Sequence, residues 1–160
     1  MEKEILRILI RDTLEQIGLC SDSAVELLMG TCAQESALGK YRRQIGGGPA
    51  LGIMQMEPAT YRDITKNYLR YKPELTRQIL KVSGLKEMPE AEELVMNDRF
   101  AICMARVHYL RFKGAIPSDV EGWAHYWKVH YNTRFGKGTE VEFINNYNPV
   151  SYTHLTLPTN

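Results

Sequence analysis

A mainly α-helical domain is what this chain predicts, and three observations predict it. Every strong periodic signal is helical, caps and stops punctuate the helical stretches at plausible lengths, and a single segment, residues 41–57, breaks the pattern with three consecutive glycines. At 160 residues the chain fits one domain with room for a real core. We place that domain at residues 1–149.

Residues 4–17 carry Ile5, Leu6, Leu9, Ile10, Leu14 and Ile17 at helical spacing, and Gly18 stops them. A second helix starts at Ser21 or Asp22, either of which can cap it, and runs to about Leu38 with Gly39 beyond its end. Residues 41–57 read as a loop or a small sheet-like tongue. Pro58 suits the first turn of a short helix reaching Asn67. Residues 74–83 and 90–95 are short helical stretches separated by Gly84 and Pro89. Asn97 can cap a longer helix to about Phe112, with Phe100, Cys103, Val107 and Leu110 as its stripe. Ser118 and Glu121 form a capping box for a helix through about Tyr131, and Thr139 and Glu142 form another before Phe143.

Bulk properties narrow the function classes. Lys plus Arg (20) nearly balances Asp plus Glu (19), so no global charge draws the chain to nucleic acid or an anionic membrane. Lys40, Arg42 and Arg43 are the one tight basic cluster, read here as a solvated loop. Three cysteines without a C-x-x-C spacing argue for small core residues at Cys32 and Cys103. His125 and His130 lie five apart, off the one-face spacing of a helical metal pair, so no metal is expected. Gly136-Lys137-Gly138-Thr139 lacks the order and spacing of a phosphate loop. A helix-turn-helix over residues 5–37 would lack a basic reading face. No apolar run approaches membrane-spanning length, and Met-Glu-Lys-Glu does not open a secretory leader. Residues 150–160, VSYTHLTLPTN, end the charge and periodicity together. They resemble the translation of a sequencing-library adapter and are expected to be non-native.

One residue is out of place. At about 100° per residue, Val25, Leu28, Cys32 and Glu35 share an arc of about 80° on the second helix. A carboxylate thus joins the stripe that faces the core. Burial raises its pKa, and so does the negative end of the helix dipole. A protonated carboxyl near neutral pH is what a general acid needs. The alternative is a carboxylate at a frayed end that bends out to water. Gly46, Gly47 and Gly48 allow a backbone to pass close to a ligand, or make a plain flexible connector.

Three segments then coincide in order. Gln34-Glu35-Ser36 ends a helix, Gly52-Ile53-Met54-Gln55 follows a glycine-rich loop, and His130-Tyr131-Asn132 ends a later helix. Together they resemble the soluble lytic transglycosylase domain, a lysozyme-like fold related to goose-type lysozyme. Asn97–Leu110 (NDRFAICMARVHYL) resembles that family's third helix, and the likeness spans about residues 22–147. It implies a peptidoglycan lytic transglycosylase that cleaves the MurNAc–GlcNAc β-1,4 bond with a 1,6-anhydro product and no cofactor. Glu35 would be its single acid/base and Ser36 would help orient the site. Met54 and Gln55 would line the sugar cleft. Tyr131 would lie close to Glu35, and Asn132 would fix the turn or touch the site. Met54 and Tyr131 also read as core residues.

The chain departs from the family after Gln55, where Met56-Glu57-Pro58 replaces two apolar residues and proline. Glu57 stands where goose-type lysozymes carry an acid. As a second carboxylate it would activate water, in a pair roughly 6.5–9.5 Å apart, and make the chain a hydrolase. It equally reads as a complement to the following helix dipole. A non-catalytic wall-binding or virion structural module is the rival from another class. Glycan strands are the expected partner, with other phage tail or lysis proteins as further candidates. The context fits a phage or prophage lytic protein, released from the host cytoplasm through a holin or carried in the virion.

Overall fold

The computed structural model describes residues 1–132 and 136–148. The adapter-like segment 150–160 therefore lies outside the described residues. Among those described the chain is mainly helical, with no strand. Its helices are α1 (Lys3–Gln16), α2 (Asp22–Ser36), α3 (Pro58–Asn67), α4 (Pro73–Ser83), α5 (Glu93–Met96), α6 (Asp98–Leu110), α7 (Val120–Trp127) and α8 (Glu140–Tyr147). A 3-10 turn, Leu69–Tyr71, links α3 to α4, and a π turn, Lys128–Asn132, continues α7.

α6 is the axle. Nine of its thirteen residues are buried, and it touches α1 to α5 and the π turn. Asn97 caps it, accepting from the Phe100 N–H at 3.1 Å. α1 lays Leu6, Ile10 and Leu14 on the core, one turn apart, while Ile5 from the expected stripe points outward. α2 is capped by Ser21 and runs between α1, α7 and α8, all but enclosed. Gly30 lets it approach α8 closely, because a methyl group there would enter the Phe143 ring. α8 carries the expected capping box of Thr139 and Glu142.

Four local expectations are corrected. α2 ends at Ser36, not Leu38, because Ala37 and Leu38 turn left-handed at φ 51° and 60°. α6 stops at Leu110, two residues before Phe112. The cap of α7 is Asp119, whose side chain accepts from the Gly122 N–H, in place of Ser118, and α7 gives way to the π turn after Trp127. The helix expected at 90–95 forms at Glu93–Met96.

Segment 41–57 packs as a folded loop with two isolated antiparallel bridges, Arg43 to Leu51 and Leu51 to Met56. The basic cluster is solvated at Lys40 and Arg43, both exposed, and tied down at Arg42. Arg42 makes a two-pronged bond to Asp98 at 2.5 and 3.1 Å and donates to the Val95 carbonyl. Arg43 pairs with Glu92. These contacts pin the loop to the start of α6 and to α5. Gly52 sits at φ 80° against the Leu94 carbonyl, where no side chain fits.

Candidate active site

The last turn of α2 carries Glu35 into partly buried surroundings. Its Oε2 accepts the indole N–H of Trp127 at 2.9 Å, across from α7. No other side chain bonds it among the described residues. Burial pushes its carboxyl up, the Trp127 bond pulls it partly back, and the outcome is a pKa of about 7. A carboxyl poised there can give a proton and take one back near neutral pH.

An aromatic wall adjoins the acid. Tyr131, on the π turn, stacks on Tyr109 of α6 with centroids 5.2 Å apart. Both phenols are held well above their ordinary pKa, by burial first and then, in part, by the charge of Glu35. Both therefore stay neutral. Tyr131 donates its proton to the Met54 carbonyl at 2.6 Å. The Thr31 hydroxyl, one turn before Glu35, donates to the Leu27 carbonyl and so accepts from Tyr109 at 2.8 Å.

The π turn that places Tyr131 is held from outside. His108 bonds the His130 carbonyl at 3.0 Å and Arg111 at 2.8 Å through its other nitrogen. Arg111 can only donate, so His108 Nδ1 accepts and its proton sits on Nε2. Burial first, and the Arg111 charge second, push this imidazole down to about 4 and keep it neutral. Lys128 donates to Asn132 Oδ1 and to the Gly136 and Gly138 carbonyls.

The residues named from sequence fall into two sets. Glu35, Ser36, Met54 and Tyr131 are joined through the loop. The Ser36 hydroxyl accepts from the Gly39 N–H at 2.9 Å and donates to the Ile53 carbonyl at 2.6 Å, stitching the end of α2 to residues 52–55. Met54 is buried, so its carbonyl, not its side chain, serves the site. Gln55 is buried too; its amide donates to the Arg42 and Gly52 carbonyls while its backbone sits at φ 48°. Neither side chain lines an open cleft. Asn132 accepts from Lys128 through its Oδ1. Glu57 is exposed at the cap position of α3, without a capping bond from its side chain. No carboxylate contributes to the shift at Glu35.

Trp127 is the partner of Glu35 that periodicity hid. It shares an apolar face with Trp123 and Ala124 and reads as core. One signal could have exposed it. A buried indole N–H needs an acceptor, and a buried carboxyl needs a donor.

Two open depressions lie elsewhere, one lined by Gln16, Arg77, Gln78, Lys81 and Val82, the other by Glu90, Glu92, Glu93 and Met96. Neither includes a site residue. Among the described residues no three His, Cys, Asp or Glu side chains gather to hold a metal ion, and no helix is long and apolar enough to cross a membrane. The chain matches no protein-family model, no curated protein and no solved structure.

Proposed function

We propose that the chain is a peptidoglycan lytic transglycosylase with Glu35 as its single acid/base, as its likeness to the soluble lytic transglycosylase domain implies. The observation that carries the reading is the lone partly buried carboxyl held at about 7, with one neutral donor and an aromatic wall beside it. Glu35 protonates the oxygen of the MurNAc–GlcNAc bond as that bond breaks. The substrate's N-acetyl group stabilises the developing positive charge. The carboxylate then takes the proton of the muramic C6 hydroxyl, whose oxygen closes on the anomeric carbon. The acid is regenerated and no water is consumed. A hydrolase would need a second group to activate water. Glu57 is the candidate in sequence, and its exposed, unbonded position gives it no support. Release through a holin or carriage in a virion would bring the enzyme to the wall.

The test is mass spectrometry of the soluble products from purified peptidoglycan. Products ending in 1,6-anhydro-muramic acid are expected, and Glu35→Gln should abolish them. Ordinary reducing muramic ends would overturn the transglycosylase reading and promote Glu57. Absence of products would favour a binding or structural module.

A further inference from the structure

We propose that Trp127 is the positioning residue of the acid and that it divides the two carboxyl oxygens of Glu35 by role. The indole holds Oε2, and Oε1 carries the proton out and back. The inference rests on the reading of Glu35 as acid/base.

The division follows from donor chemistry. An indole N–H donates and never accepts. The oxygen it meets, Oε2 at 2.9 Å, must offer a lone pair whether Glu35 is neutral or charged. In the neutral state the carbonyl oxygen is the better acceptor, so the indole favours it at Oε2 and the proton on Oε1. The wall does not compete for this role. The Tyr131 proton is committed to the Met54 carbonyl, and the Tyr109 proton to Thr31. Oε1 has no bonded side chain among the described residues and is left free to exchange a proton.

The indole is built to hold still. Trp127 is fully buried, and its ring lies at 33° to that of Phe143, with centroids 5.4 Å apart. Phe143 is itself fully buried against the bare backbone of Gly30, on the same helix as Glu35. The helix that carries the acid and the ring that orients it therefore share one packing unit. Asn146 of α8 adds a bond at 2.6 Å to Gln34, the residue before the acid.

A single-carboxyl mechanism needs this restraint. The same group gives a proton to the glycosidic oxygen and takes one from a hydroxyl at another position. A carboxyl free to rotate would exchange its oxygens between the two steps. Fixing Oε2 lets one oxygen serve both. The bond also favours the charged form, so it opposes burial when Glu35 must return as a base.

The experiment replaces Trp127 with β-(3-benzothienyl)alanine, which keeps the ring shape and substitutes sulfur for the N–H. Trp127→Phe is the second variant. Two readouts are taken: the Glu35 titration midpoint from ¹³C-labelled carboxyl NMR, and kcat and KM for glycan cleavage. We expect the midpoint to rise in both variants. We expect kcat to fall by about 10²-fold, as for a misplaced catalytic group, with KM within about twofold. An unchanged midpoint and unchanged kcat in the benzothienyl protein would overturn the proposal. A rise in midpoint in a chain whose natural form cleaves no glycan would overturn the catalytic reading and the division of roles with it. The structural bond alone would then stand.

Discussion

Glu26 and Glu35 stand on one helix, both partly buried, and the fold treats them in opposite ways. Glu26 is near the start of α2. Arg7 reaches it with two bonds, at 2.9 and 3.0 Å, and the Tyr147 hydroxyl adds a third at 2.6 Å. Burial pushes this carboxyl up, but the three donors, two of them on the charged Arg7 guanidinium, outweigh burial and hold it below its ordinary value. Glu35 is in the last turn, with one neutral donor, and burial wins. The helix dipole favours charge at the first site and disfavours it at the second. Burial alone does not decide what a carboxyl does. The number and charge of its donors decide it, and here they separate an ion-paired carboxylate from a carboxyl that holds its proton to about 7.

Glu35→Gln tests the comparison most severely. Gln keeps the shape and an oxygen for the indole but cannot carry a proton. Cleavage should fall by about 10³-fold or more. Stability should move the other way. The folded pKa of Glu35, about 7, lies above the ordinary 4.5. Between those values the folded state keeps a proton that the unfolded chain has released. Stability is therefore fully present below about pH 4.5 and is lost as pH rises through 7. The shift corresponds to roughly 3 kcal/mol. Urea melts should show Glu35→Gln more stable than the natural chain at pH 8, by up to that amount, and equal to it at pH 4. Equal stability at pH 8 would mean that Glu35 is solvated, and the contrast with Glu26 would collapse.

Glu26→Gln should do the reverse. It leaves Arg7 with a neutral partner in a partly buried site, at a cost of about 2 kcal/mol at pH 7. The pKa of Glu26 is lowered on folding, so its contribution is fully present above the ordinary carboxylate value and is lost as pH falls from there through its lower folded value. The deficit should shrink in acid. The Glu35 midpoint, followed by the same carboxyl NMR, should stay in place, because Glu26 is no part of its environment. A moved midpoint would show that the two ends of α2 are coupled.

What was legible beforehand divides along the same line. Helix positions follow from periodicity and caps: Ser21, Asn97 and the Thr139–Glu142 box all act where they stand in sequence. The anomaly of Glu35 on an apolar stripe was also visible, because helical spacing alone defines a face. Partners were not. Periodicity places Trp127 among core residues and cannot tell which way its N–H points. Charge clustering marks Arg42 and Arg43 as basic but cannot show that Asp98 and Glu92, some fifty residues on, neutralise them. The π turn was equally hidden. It depends on a carbonyl being met by His108, a contact between helices distant in sequence. Met54 reaches Tyr131 through its carbonyl while its side chain and that of Gln55 are buried.

The two ends of α2 also differ in backbone strain, and this supplies the smallest test. Ser21 caps the start in relaxed extended geometry, its hydroxyl accepting from the Ala24 N–H at 3.0 Å. The end by Glu35 turns through two left-handed residues without glycine, Ala37 at φ 51° and Leu38 at φ 60°. A third such residue, Gln55, lies in the loop that Ser36 and Tyr131 hold. A non-glycine residue in that region costs about 1 kcal/mol. Ala37→Gly removes the strain but adds freedom to the unfolded chain, so its net gain should be about 0.5 kcal/mol. Ser21→Ala, at the relaxed end, should lose about 1 kcal/mol with its cap. Both are read from urea melts at pH 7. A loss in Ala37→Gly would mean that the methyl group packs well enough to outweigh its strain. A gain would place the strained residues around the acid, where a fold holds geometry that its local backbone does not prefer.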